Sequence, residues 1–158
     1  MSSALQTTEK LIIDTNLLLL LIVGVTSRDY IRKHKRVDTF SESDFDLLHR
    51  IANDAKSVVV TPNILSETSN LAAQIRQPAK GEIARCMKDI IELHPEEYIE
   101  SAKASKRPEF VRLGLVDTAI LETCRQGATL LTTDLSLYLA AEHAGYEAIN
   151  FNHLRDSN

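Results

Sequence analysis

At 158 residues, with 44% hydrophobic and 25% charged side chains, the chain is long enough to bury the core of one domain and too short for two. Five Gly and four Pro exclude a long linker or low-complexity block, and a net charge of −4 excludes a protein held to nucleic acid by a bulk positive field. Two cysteines, Cys86 and Cys124, lie inside predicted helices without CxxC or Cys/His spacing, so they read as reduced thiols of a cytoplasmic protein, not as a disulfide or zinc site.

Residues 1–9 are polar and read as frayed. Residues 10–13 form the first predicted strand, an apolar run that stops abruptly at Asp14-Thr15-Asn16. Residues 17–23 follow as a helix apolar on all sides, hence buried. A membrane span needs about 20 apolar residues. Asp14 and Arg28 bound this run too closely for that, and no basic segment precedes it as in a signal peptide. A carboxylate at the carboxyl end of a buried strand lies at the rim where open α/β folds keep their chemistry, although aspartate there is equally a plain helix N-cap.

Residues 28–36 are strongly basic and read as a short exposed helix or a loop. Arg28, Arg32, Lys33, Lys35 and Arg36 are candidates for contact with an RNA backbone, with Arg107 and Arg112 as secondary ones; the bland reading is a solvated charged face. Ser41-Glu42-Ser43-Asp44 resembles a capping box, and Phe45, Leu48, Ile51 and Ala52 share one face of the helix behind it. Residues 58–60 are three valines ending at Thr61-Pro62, a second buried strand with proline in the first turn of the next helix. That helix, to about residue 74, carries Glu67 at the margin of a stripe made by Ile64, Leu65, Leu71, Ala72 and Ile75. An acid at that margin needs a partner.

Residues 81–94 show helical spacing, Pro95-Glu96-Glu97 opens another short helix to about 103, and residues 103–108 form a basic loop. The helix predicted over 114–126 carries Asp117 in its first turn, where the helix dipole alone favours an acid, and Gly127 closes it. Residues 128–133 repeat the opening logic: an apolar strand, threonines, then Asp134 and a helix over 135–143 closed by Gly145. Residues 148–151 make a last strand. This alternation predicts one α/β domain whose sheet is mostly parallel with helices on both faces, with 24–57 as its longest connection.

Four acids, Asp14, Glu67, Asp117 and Asp134, are thus candidates for a common edge of the sheet. Singly, each has a structural explanation. Several carboxylates near one point would raise one another's pKa unless cations neutralise them, and hard oxygen ligands select Mg²⁺ or Mn²⁺. Setting these four aside leaves eighteen acids against eighteen bases, so the negative total is compatible with a phosphate substrate.

Asp14-Thr15-Asn16 after an apolar strand, Glu67 in Ser66-Glu67, Asp117 in Leu115-Val116-Asp117-Thr118-Ala119, and Asp134 in Thr132-Thr133-Asp134 together resemble the PIN-domain nucleases. The likeness spans about residues 11–151. It implies a three-layer α/β/α sandwich and a Mg²⁺- or Mn²⁺-dependent ribonuclease with Asp14, Glu67, Asp117 and Asp134 as metal ligands. Asn16 and Thr133 would then orient ligands or the attacking water. It further implies a toxin of the toxin–antitoxin kind, with an antitoxin partner and a homodimer, although the connection over 24–57 is longer than in the shortest such proteins.

Two other classes compete. A phosphatase of the haloacid dehalogenase type also begins with a strand-end Asp, but it usually places a second acid two residues later, where this chain has Asn16. A non-catalytic PIN-like module would keep the fold for binding alone. There is no GxxxxGK loop and no GxSxG elbow. Four Phe, four Tyr and no Trp give little for a base-stacking platform, and lone histidines such as His49 and His143 have no paired metal-ligand spacing.

Overall fold

The computed structural model describes residues 8–157. Of the segment expected to fray, residues 1–7 lie outside that range, while residues 8 and 9 are held. The Thr8 carbonyl accepts the Lys56 N–H at 3.1 Å, and Glu9 pairs with Lys56 Nζ at 2.6 Å.

Four parallel strands make the sheet: β1 (Leu11–Ile13), β2 (Val58–Val59), β3 (Thr129–Thr132) and β4 (Ala148–Asn150), in the order β2-β1-β3-β4. Leu11 is in register with Val58 on one side and Thr129 on the other, and Leu130 with Ala148. β1 is covered on both faces, each residue no more than 2% exposed, which is why it reads as a continuous apolar run without alternation.

Ten helices complete the fold among the described residues. Between β1 and β2 come α1 (Thr15–Thr26), α2 (Asp29–Lys33) and α3 (Glu42–Asp54). Between β2 and β3 come α4 (Pro62–Ala72), α5 (Ala79–Leu93), α6 (Ser101–Ser105), α7 (Phe110–Leu113) and α8 (Leu115–Arg125). α9 (Leu135–His143) joins β3 to β4, and α10 (Phe151–Asp156) follows. The result is the three-layer α/β/α sandwich. The chain leaves β1 for β2 on one side and later crosses to β3 on the other. Strand order therefore reverses between β1 and β3, and the turns after these two strands open a crevice at the carboxyl edge of the sheet.

The buried helix is as expected: Leu17 to Val23 are all 7% exposed or less. Gly24 continues it because α3 packs against α1 there; a Cβ on Gly24 would lie 2.2 Å from Phe45 Cδ1. The capping box also forms, with Ser41 Oγ accepting the Asp44 N–H at 3.0 Å and Asp44 Oδ2 accepting the Ser41 N–H at 2.9 Å. Both cysteines are free, Cys124 buried and Cys86 partly so. Among the described residues no helix is long and apolar enough to cross a membrane.

Three local expectations are corrected. Pro95-Glu96-Glu97 is extended, not helical: the Pro95 carbonyl accepts the Val60 N–H at 3.1 Å and Glu97 N–H donates to the Val60 carbonyl at 2.8 Å. This segment covers the outer edge next to β2, which would otherwise be left unpaired. Part of the predicted basic loop is α6. Phe151 starts α10 instead of ending β4; it is fully buried, and Asn150 Oδ1 caps the helix by accepting the Asn152 N–H at 2.9 Å.

Candidate metal centre

The crevice at the β1/β3 switch point is built from turn chemistry. Asp14 ends β1 in an extended conformation and caps α1, its Oδ1 accepting the Thr15 N–H at 2.8 Å. Its other oxygen, Oδ2, accepts the Thr132 hydroxyl at 2.7 Å. Thr132 ends β3, is fully buried, and its Oγ1 also accepts the Asp134 N–H at 2.9 Å. One hydroxyl thus ties the turns after both central strands together. Asp134 in turn caps α9, Oδ1 accepting the Leu137 N–H at 3.1 Å, and its side chain is exposed.

Asp117 is half-buried in the first turn of α8, and Glu67 is exposed on α4. Glu67 and Val116, the neighbour of Asp117, line one cleft of about 400 Å³ together with Pro62, Asn63, Ser66 and Asn70. The four acids act on one another through space. Burial raises the Asp14 carboxyl above its ordinary value; the Thr132 hydroxyl and Thr15 N–H oppose this, and the charges of Asp134 and Glu67 add to it. Asp117 is pushed up to about 7, first by burial and then by Asp14, Asp134 and Glu67.

The donor chemistry fits a hard divalent cation: the four acids offer oxygen ligands, and the ion pairs among the described residues all run through other acids. Thr15 Oγ1, beside Asp14, is buried without a hydrogen-bond partner. Among the described residues no three acidic, His or Cys side chains stand close enough to ligate one ion in their present rotamers. Glu67 and Asp134 are the exposed members of the four.

Asn16 and Thr133 border the same turns, Asn16 exposed and Thr133 partly buried, and neither side chain takes part in the hydrogen bonds above. The hydroxyl that orients Asp14 belongs instead to Thr132, which sequence reading passed over. The signal was there in the pairing of β1 with β3, which sets the ends of both strands side by side. Replacing Thr132 by Val keeps the shape but leaves the buried Asp134 N–H without its acceptor and Asp14 without a donor. We expect a loss of about 1–2 kcal/mol in urea unfolding together with weaker Mn²⁺ binding by titration, with Thr132→Ser restoring both.

Of the candidate phosphate contacts, several are already engaged. Arg28 bonds Asp46 at 2.6 Å and Glu42 at 3.0 Å and lies over the Phe45 ring, while Arg32 pairs with Asp29 at 3.4 Å. Arg107 is 11% exposed and bound to Glu122 and Glu109. Lys33, Lys35 and Arg36 are exposed and have no acidic partner among the described residues, and Arg112 lines a separate cleft of about 730 Å³ with Glu109, Glu142 and His143.

No family model and no curated protein matches the chain. Among solved structures it is similar to a domain of a functionally unknown protein from Methanocaldococcus jannaschii DSM 2661, with 18% identity, 90% of each chain covered and a TM-score of 0.45.

Proposed function

We propose that the chain is a Mg²⁺- or Mn²⁺-dependent ribonuclease of the PIN type that hydrolyses phosphodiester bonds of RNA at the β1/β3 crevice. One observation carries this reading: Asp14, Glu67, Asp117 and Asp134 act on one another electrostatically with no Lys, Arg or His among the described residues paired to any of them, and the carboxyls of Asp14 and Asp117, raised first by burial, are raised further by the charges of the others. Such an arrangement is unfavourable for a chain that only needs to fold, and a divalent cation relieves it.

When bound, the ion supplies charge neutralisation and Lewis-acid activation for attack of water at phosphorus. The chain's own part is to hold the ligands. Asp14 is fixed by two hydrogen bonds before any ion arrives, which lowers the ordering cost of binding. Asp117, Glu67 and Asp134 would complete the set, and Asn16 and Thr133 would orient a water. The test is incubation of end-labelled RNA with Mg²⁺, with Mn²⁺ or with chelator. Internal cuts that need the metal support the reading, and a folded protein that cuts no RNA in any condition would move it to a PIN-like binding module.

Asp117 gives this centre a pH dependence with a definite sign. Its folded pKa, about 7, lies above the ordinary 3.8, so the native state holds a proton that the unfolded state has released between those values. The ionised group therefore destabilises the metal-free fold progressively as pH rises from about 4 to about 7. Asp117→Asn is expected to be more stable than wild type at pH 8, the gap closing as pH falls toward 4 in thermal unfolding with chelator. Mn²⁺ binding to wild type, which needs Asp117 ionised, is expected to weaken below pH 7.

A further inference from the structure

A second cleft, of about 420 Å³, lies away from the acids and is lined by Tyr30, Lys33, Lys35, Gln74, Arg76 and Gln77 among others. Its place follows from the fold. α1 starts at Asp14 and delivers the chain to α2 after its last turn, and α4 starts at the same edge of the sheet and delivers it to Gln74. α1, twelve residues and about 18 Å long, runs from Asp14 toward the side of the molecule where the cleft lies.

Its cations are uncompensated in a chain of net charge −4. Lys33, Lys35 and Arg76 are exposed and take part in none of the ion pairs described above, unlike Arg28 and Arg32 next to them. Arg36 bonds only the neutral Gln74 Oε1, at 2.8 Å. The walls are also built in advance. His34 is fully buried between these lysines, with Nε2 3.2 Å from the Ala72 carbonyl and Nδ1 accepting the Arg36 N–H at 3.2 Å. This pins the α2 end to the α4 end. Lys33 Nζ lies 6.0 Å from the centre of the Tyr30 ring, and that ring is anchored by its hydroxyl donating to Glu82 Oε2 at 2.8 Å.

We propose that this cleft holds the phosphate backbone of a single RNA strand whose scissile bond lies at the acidic crevice, an extended contact that rests on the ribonuclease reading above. Exposed cations at several points of a groove, beside an aromatic ring, match a polymer with repeated phosphates and flat bases.

Affinity of the wild-type chain for a labelled 20-nucleotide single-stranded RNA, measured in EDTA as a function of salt, tests this against the exposed-surface variant Lys33→Ala/Lys35→Ala/Arg76→Ala. The expected result is at least a tenfold weaker Kd at 0.1 M salt and a plot of log K against log salt flattened by about two. Unchanged affinity and slope would overturn the proposal, as would poly-glutamate displacing the RNA equally well from wild type, which would make the cleft a seat for an acidic protein. Because no metal is present, failure of the ribonuclease reading is separate. A chain that cuts no RNA but loses binding in the triple variant keeps the cleft as an RNA contact and loses only the scissile bond at the crevice.

Discussion

The Asp14→Asn protein is expected to fold like wild type and to lose metal-dependent RNA cleavage by on the order of 10³-fold, the scale of removing one preorganised electrostatic group from an active site. The folding half follows from the two hydrogen bonds. Asparagine caps helices as well as aspartate does, so its carbonyl oxygen can keep the Thr15 N–H that Asp14 Oδ1 now accepts. Its amide nitrogen then meets Thr132 Oγ1, which must turn its proton away from the lost carboxylate, a penalty of about 1 kcal/mol. Removing a charge that is 7% exposed and faces Asp134 and Glu67 works in the opposite direction. Urea unfolding in chelator should therefore place the two proteins within about 1 kcal/mol. Activity cannot be preserved in the same way, because the amide keeps the shape and discards the charge that a cation needs. Full metal-dependent cleavage by Asp14→Asn would take Asp14 out of the mechanism.

The strands and the acids were readable in the chain because both are local patterns. Leu11-Ile12-Ile13 and Leu130-Leu131 are buried on both faces and so carry unbroken apolar runs, and each is followed by an aspartate that caps the next helix. What the chain could not display is what depends on partners distant in sequence. Thr132 is one threonine of two adjacent ones; only the alignment of β3 beside β1 decides that its hydroxyl, and not that of Thr133, reaches a residue 118 positions away. Pro95-Glu96-Glu97 has the composition of a helix start, and tertiary pairing with Val60 overrides it. The basic residues show the same limit. Lys33 and Lys35 stay uncompensated while Arg28, a few positions earlier, is taken by Glu42 and Asp46 of α3, and no count of charge along the sequence separates them.

Arg107→Ala is expected to destabilise the fold by about 3 kcal/mol, the scale of breaking a buried ion pair, and to leave RNA affinity unchanged, the reverse of what a phosphate contact would do. Arg107 Nη1 donates to Glu122 Oε2 at 2.6 Å and to the Tyr146 hydroxyl at 3.0 Å, while Nε and Nη2 each bond Glu109 at 3.2 Å. These bonds gather the loop before α7, the last turn of α8 and the turn before β4 around one guanidinium, whose carbon also lies 5.3 Å from the centre of the Tyr146 ring. Without it, Glu122, with its side chain 5% exposed, keeps only Arg125 at 3.1 Å and Lys103 at 3.8 Å. For a chain of this length that loss corresponds to roughly 6–12 °C in Tm. Arg107→Lys should recover part of it, because an ammonium can reach one carboxylate but cannot reproduce the fork on two. The pH dependence has a sign as well. Burial alone would raise the Glu122 carboxyl, but Arg107 and Arg125 hold it below its ordinary value. Its contribution is therefore present above the ordinary 4.5 and fades as pH falls through the lower folded value, so the gap between wild type and Arg107→Ala should be full at neutral pH and shrink in acid. A variant with unaltered stability and weakened RNA binding would return Arg107 to the surface role that its basic neighbourhood in the sequence first suggests.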